Sequence, residues 1–234
     1  MKNQRPSAAF SLVELLVVIA IIGIIGTFAV PAMQSVLKGT ALSSASSTLV
    51  DQMSLARQHA ISKNRTVEVR FYRFVDTEQA GDDIATEGQP AGKFRALQYF
   101  EIGDAGKILP IGKFQRLPDS VMMNPNPDLS TLLGEEPDKI VLAKSLDKTV
   151  DPELPRGVGF KYDYRAFHFL PDGTTDLSPL GLSGGPSSDG RWFITIHSVN
   201  DLSRATAKLP PPNYFTWMID PVSGTSKTFR PGVK

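Results

Sequence analysis

Glu14 is the only charged residue between positions 10 and 37, and it lies at the start of a long apolar run. The run over residues 15–33, LLVVIAIIGIIGTFAVPAM, contains no charge at all. A carboxylate within an apolar segment is costly, so such a residue usually marks a function or a partner. A simpler interpretation also remains, in which the Glu14 side chain only reaches back to a polar interface.

No other residues have the pattern of an active site. The sequence contains no HExxH, no GxSxG and no glycine-rich phosphate loop before a helix. It also contains no cysteine, which excludes disulfides, zinc–thiolate sites and a cysteine nucleophile. The neighbours of His168 and His197 are typical of structural histidines, and the acidic pairs Asp82-Asp83 and Glu135-Glu136 lack the spacing of a calcium loop. We therefore expect no catalytic residue, no metal and no cofactor.

The apolar run has the length of one membrane-spanning helix, since roughly 20 residues cross the hydrocarbon core. Lys2 and Arg5 precede it without any acidic residue, which favours a cytoplasmic N-terminus. An ordinary secretory signal, cut near residues 27–29, is the alternative, but its apolar region would be shorter. Over all 234 residues, 41% hydrophobic and 21% charged residues match ordinary globular usage, which excludes a polytopic membrane protein.

The residues that begin the run are Ala9-Phe10-Ser11-Leu12-Val13-Glu14. With the short basic leader before them, they resemble the type IV pilin and pseudopilin family, in which a small residue precedes Phe-Thr-Leu-Ile-Glu. The resemblance implies that prepilin peptidase cuts between Ala9 and Phe10 and N-methylates Phe10. Ala9 stands where the family usually has glycine, and it is the next smallest residue.

The same resemblance implies a role for Glu14 in subunit assembly. After cleavage the amine of Phe10 would lie one helical turn from Glu14, so that in a bundle the carboxylate of one subunit could pair with the amine of a neighbour. Pro31 removes a backbone donor near the end of the run and is expected to kink the helix. The implied partners are prepilin peptidase, other pseudopilins through this helix, and the lipid of the inner membrane.

Beyond Pro31 the sequence predicts an amphipathic helix over 34–65 and then strands. The helix has one apolar stripe at three- and four-residue spacing: Leu42, Ala45, Leu49, Met53, Ala56 and Ala60. Alternation and turn signals predict strands near 66–72, 94–102, 164–169, 192–199, 213–219 and 226–230. Residues 75–93 are predicted to be a loop, and 118–158 a loop-rich insertion with a short helix near 139–146.

The segment SLARQHAISKNRTVEVRF and the turns Leu170-Pro171-Asp172-Gly173 and Asp220-Pro221-Val222-Ser223-Gly224 carry a narrower resemblance. They are similar to GspH/FimT-type minor pseudopilins, and the whole chain most resembles the Verru_Chthon cassette protein D group. The implied fold is α+β, with a long N-terminal helix packed on an antiparallel sheet. The expected organisation is a leader (1–9), a transmembrane half of the helix (10–33), an amphipathic half (34–65) and a periplasmic β-rich head (66–234).

These features predict a minor pseudopilin, a structural subunit of a type II secretion-like or type IV pilus-like filament. Two alternatives are a membrane-anchored enzyme and a DNA-uptake minor pilin. DNA binding would need a positive patch, and its candidates are Arg191, Arg204, Lys227, Arg230 and Lys234. Removal of the leader takes two of the 25 basic residues and none of the 24 acidic ones, so the mature net charge is near −1 and nucleic acid is an improbable partner.

Overall fold

The computed structural model describes residues 11–76, 92–133, 139–141, 152–155, 158–159, 161–178, 191–204 and 210–231. Side chains at 28–32, 34–35, 105, 139–141 and 203–204 are also outside the description. The predicted leader, Phe10 and most of the predicted 75–93 loop therefore lie outside it. The chain forms two compact units, Met1–Thr40 and Ala41–Lys234, which are described separately.

The helix α1 extends over Leu12–Lys63, and its residues up to Thr40 belong to the first unit. The α-helix is continuous through Pro31, so the predicted kink there stays a prediction. Counting only the residues that the structure describes, no helix combines the length and the apolar character needed to cross a membrane. The helix ends where Asn64 takes a left-handed backbone conformation at φ 52°, a conformation that asparagine tolerates at helix ends.

In the second unit, the predicted apolar stripe of α1 is buried. All six stripe residues are at most 2% exposed and share one core with the strands that follow. The opposite face of the helix carries exposed polar residues such as Ser44, Asp51 and Gln58. Since burial of apolar area is the main driving force for packing, the 3.6-residue period is sufficient to place this part of α1 on the sheet. The predicted α+β fold is confirmed.

The sheet is antiparallel, and its strands in the described residues are β1 (Val67–Phe74), β2 (Lys93–Ile102), β3 (Ile108–Pro110), β4 (Gln115–Arg116), β5 (Val121–Met123), β6 (Lys139–Val141), β7 (Tyr162–Phe169), β8 (Trp192–Ser198), β9 (Tyr214–Ile219) and β10 (Ser226–Phe229). Its main path runs in the order β10-β9-β8-β5-β2-β1-β7-β6, and β3 and β4 also pair with β2. The six strands predicted from sequence are all present.

Both faces of the central strands are covered. Along β1, Val67, Val69 and Phe71 belong to the core shared with α1. Because successive side chains of a strand point to opposite faces, Glu68, Arg70 and Tyr72 lie on the other side. There Tyr72 joins a second, aromatic-rich cluster whose members are Phe74, Ala96, Phe100, Ile108, Leu154, Val158, Tyr162 and Tyr164.

The first part of the predicted 118–158 insertion is an integral part of the sheet. β5 pairs with both β2 and β8. Next along the chain, the hydroxyl of Ser130 accepts a hydrogen bond from the Thr195 amide at 3.0 Å, and that of Thr131 accepts one from the Phe193 amide at 2.9 Å. Residues 121–133 therefore cover the edge of β8. Serine and threonine side chains replace part of a strand here, so the segment has no strand-like pattern.

The short helix predicted near 139–146 is wrong for residues 139–141. They form β6, which pairs with β7 through Lys139↔Tyr164 and Val141↔Tyr162. Three residues are too few to show a period of two or of 3.6, and pairing with the long strand β7 decides the conformation. The remaining residues of that prediction lie outside the described residues.

Candidate assembly segment

Ser11 caps the start of α1, and this cap involves Glu14. The Glu14 backbone N–H donates to the Ser11 hydroxyl oxygen at 3.1 Å. Together the two residues form a Ser-x-x-Glu sequence, the signature of a helix capping box. Sequence reasoning missed this contact, although the spacing was visible. Glu14 is thus exposed in the first turn, where a negative charge also favours the helix dipole.

The first turns of α1 expose apolar side chains on every face. The large apolar residues over 12–25 are between 43% and 80% exposed: Leu12, Val13, Leu15, Leu16, Val17, Val18, Ile19, Ile21, Ile22, Ile24 and Ile25. A soluble helix keeps such residues on one stripe, whereas a helix that is apolar all round belongs in an apolar environment. Exposed apolar surface of this extent marks an interaction site. Glu14 lies at the start of this surface.

In the head, Arg57 of α1 holds the two glycine turns that the sequence singled out. Its Nε donates to the Gly173 carbonyl at 3.0 Å, and one terminal nitrogen donates to the Ser223 carbonyl at 2.9 Å. The turns also contact each other directly, since the Thr175 amide donates to the Pro221 carbonyl at 3.1 Å. Arg57 therefore links α1, the turn after β7 and the turn before β10.

The contact between these turns requires glycine. Gly173 and Gly224 both have positive φ, 83° and 64°. A Cβ atom at Gly224 would lie 2.0 Å from the Gly173 carbonyl oxygen, closer than any real contact. Gly173 and Gly224 lie 51 positions apart in the sequence (224 − 173), so their contact could not be inferred from local patterns.

A row of charged side chains crosses the sheet face opposite α1. His168 lies 2.5 Å from an Asp176 carboxylate oxygen through Nδ1 and 3.6 Å from Glu68 through Nε2. Glu68 in turn accepts a hydrogen bond from the buried Arg70, whose guanidinium lies 4.3 Å from the ring centroid of Tyr164. Hydrogen bonds with Asp176 and Glu68 raise the pKa of His168 to about 9.

The other two histidines have simpler environments. His197 is fully buried, its Nδ1 donates to the Ser198 carbonyl at 2.7 Å, and its Nε2 accepts from the Asn124 amide at 2.8 Å. Burial lowers the pKa of His197, so the ring is neutral. His59 of α1 lies 2.8 Å from Glu101 at the end of β2. Across the described residues, no three histidine, aspartate or glutamate side chains form a group that could hold a metal ion.

Three of the five candidate DNA-contacting cations have described side chains. Arg230 donates to the Ser43 hydroxyl at 2.8 Å, and Lys227 is exposed on β10. Arg191 is exposed just before β8. The side chain of Arg204 and the whole of Lys234 lie outside the described residues, as do Ala9 and Phe10 of the predicted cleavage site.

Comparison with known proteins identifies the N-terminal segment alone. A model of the prokaryotic N-terminal methylation motif matches residues 4–30, which contain the predicted cleavage site and most of the apolar run. No curated protein matches the chain. The structure of the minor pseudopilin EpsH from the Type 2 Secretion System of Vibrio cholerae aligns with 81% of this chain and 96% of that chain, at 10% identity and a TM-score of 0.38. A similarity at that level carries no argument about this protein.

Proposed function

We propose that the protein is a minor pseudopilin, a structural subunit of a type II secretion-like or type IV pilus-like filament. One observation carries the proposal. A methylation motif leads directly into a helix whose large apolar side chains over residues 12–25 are exposed on all faces, with Glu14 as the one charged residue among them. Such a helix is strongly disfavoured in water, and a bundle with the similar helices of other pseudopilins would bury its apolar surface.

The proposal includes processing of the N-terminus and charge pairing between subunits, and the match to the methylation motif supports the first of these. Prepilin peptidase cuts the Ala9–Phe10 bond and N-methylates Phe10. The new amine then begins the chain one residue before the Ser11 cap. In the bundle, the carboxylate of Glu14 pairs with the amine of a neighbouring subunit, because an isolated charge in apolar surroundings is strongly disfavoured and an opposite charge relieves that cost.

Before assembly, residues 10–33 anchor the subunit in the inner membrane in a single pass. This part of the proposal rests on the sequence, where the uncharged run over 15–33 includes positions whose side chains lie outside the described residues. The basic leader places the N-terminus in the cytoplasm and the head in the periplasm.

The first experiment is mass spectrometry of the mature N-terminus after co-expression with a prepilin peptidase. We expect a chain that begins with N-methylated Phe10. Ala9→Gly should be cut at least as completely, whereas Ala9→Leu should remain largely uncut because a bulky residue replaces a small one. A mature terminus at Val30, the mark of an ordinary secretory signal, would contradict the proposal, as would an uncut wild-type chain.

A further inference from the structure

We propose that β10, together with the cleft between it and α1, binds an extended peptide segment of another protein that carries an acidic side chain. The segment adds as a further strand to β10, and its acidic side chain enters the cleft. This binding site belongs to the head alone and does not depend on the filament role.

The first observation is the open edge of β10. This strand pairs with β9 on one side, and within the described part of the chain no strand pairs with its other side. All four of its residues are exposed. An exposed edge presents unpaired backbone donors and acceptors, which is the basis of peptide recognition by strand addition. The edge of β8, by contrast, is covered by Ser130 and Thr131.

The second observation is a cleft of about 200 Å³ beside that edge. Met53, Arg57 and Gln58 of α1 line one side, and Trp217 and Ser226 line the side of β9 and β10. The volume suits one side chain rather than a whole organic ligand. Strand-addition sites gain their specificity from such pockets, because alternate side chains of the added strand point toward the same face.

The third observation is an unsatisfied donor. Trp217 is fully buried, and its indole Nε1–H has no acceptor among the described residues. Buried polar groups in folded proteins almost always have a hydrogen-bond partner. Trp217 is one of the residues that line the cleft, so an occupant that displaces the side chains covering the ring could supply the acceptor. A carboxylate oxygen in the cleft would be a suitable acceptor.

Charge selects an acidic occupant. Arg57, which lines the cleft, is bound to two carbonyl oxygens and forms no ion pair with a carboxylate of the described residues. Arg230, just after β10, lies on the same side of the sheet as α1, where it donates to Ser43. Lys227 alternates with the cleft residue Ser226 along β10, so its side chain lies on the opposite face of the sheet and does not enter the cleft. After Asp220 the sequence contains three cations and no acid.

The test uses the full chain in detergent and an eight-residue peptide of alternating threonine and valine with one central glutamate. Three control peptides are matched to it. One carries valine in place of the glutamate. The other two carry N-methyl groups on every second backbone amide, one peptide on the odd-numbered amides and the other on the even-numbered ones. By titration calorimetry at 50 mM salt we expect the glutamate peptide to bind at least tenfold more tightly than the valine peptide. One of the two N-methylated peptides should lose binding, since its methyl groups replace the hydrogens that face β10.

Two variants locate the acidic side chain. Trp217→Phe removes the donor and should abolish most of the preference for glutamate over valine; its thermal transition shows whether the head still folds. Lys227→Gln is the control: its side chain lies on the sheet face away from the cleft, so this variant should leave the binding of both peptides unchanged. Equal binding of both peptides, undiminished binding of both N-methylated peptides, or no binding at 1 mM would each overturn the proposal. Tighter binding of a 20-base-pair DNA duplex through the same cations would overturn it in favour of nucleic acid.

Discussion

Glu14 contributes two chemical groups that can be tested separately. Its backbone N–H takes part in the helix cap with Ser11, and its carboxylate is the charge at the start of the apolar surface. The helix cap does not require a charge at position 14, because a capping box accepts either glutamine or glutamate at the third helical position. Pairing with an amine needs the negative charge.

We therefore expect Glu14→Gln to keep the helix and to lose association with partner subunits. Ser11→Ala is the matched control, since it removes the cap, at a cost of about 1 kcal/mol to the helix, and leaves the charge in place. Co-purification from membranes measures both. Wild-type association of Glu14→Gln, or equal losses in the two variants, would reject the pairing role.

His168 makes the stability of the head depend on pH in a defined window. Its pKa is raised from 6.5 to about 9 by hydrogen bonds with Asp176 and Glu68, against the opposing effect of burial. Because the folded-state pKa lies above the unfolded value, protonation stabilises the fold. The contribution is complete below about pH 6.5 and is lost as the pH rises through 9.

The free energy of unfolding, measured with urea, should therefore decrease between pH 6 and pH 9.5. We expect this decrease to be about 1–2 kcal/mol larger for the wild type than for His168→Gln. The figure is reduced for solvent screening, because His168 and Asp176 are partly exposed. The same slope in both proteins would show that the ion pairs contribute nothing measurable. Burial shifts the pKa of His197 in the opposite direction, and because this group is the same in both proteins its contribution cancels in the comparison.

At the scale of elements, the contact between the two glycine turns is the most constrained feature. Gly224→Ala should reduce the free energy of unfolding by about 2 kcal/mol or more, because the new Cβ meets the Gly173 carbonyl oxygen. Gly106→Ala is the control: this glycine also has positive φ, at 75°, but a Cβ there meets nothing within 4 Å. Denaturant unfolding that shows equal losses for the two variants would mean that backbone conformation alone, and not the turn contact, sets the cost.

Local periodicity explains which elements could be predicted from the sequence. The stripe from Leu42 to Ala60 and the alternating strands carry their pattern within a few residues, so α1 and six strands were predictable. β5 and β6 have three residues each, too short for a period, and Ser130 and Thr131 act through side chains instead of strand pairing. The turn contact of Arg57 and the ion pairs of His168 join positions far apart in the chain, and no local signal specifies such pairs.

For the whole molecule, the division between Thr40 and Ala41 predicts that the head folds without the apolar half of α1. A fragment of residues 39–234 retains the entire buried stripe and every strand. It should be soluble and monomeric, and it should unfold in one cooperative thermal transition. Circular dichroism and sedimentation measure this. An aggregated or unfolded fragment would show that the head needs residues before position 39.

The same fragment tests the nucleic-acid alternative. Three basic residues and no acidic residue follow Asp220 in the sequence. If each contacted one phosphate, a plot of log K against log salt concentration would have a slope of only about −2 to −3, and the affinity would be weak. We therefore expect no submicromolar DNA binding near physiological salt in an anisotropy titration. Tight binding that disappears in the double variant Lys227→Ala and Arg230→Ala would favour DNA uptake over a purely structural role.

The three-residue strand β5 is the narrowest part of the sheet, with one register pair to β2, Phe94↔Met123, and three to β8. On one side of it lie β6, β7, β1 and β2, and on the other lie β8, β9 and β10. The stripe of α1 shares a single core with residues from both groups, such as Phe71 and Ile194. By packing on strands from both groups, α1 holds the two parts of the sheet together across β5. If α1 loosens, we expect the two groups to open as separate cooperative units, and native-state hydrogen exchange at Val121–Met123 to become faster than at the centres of β1 and β8.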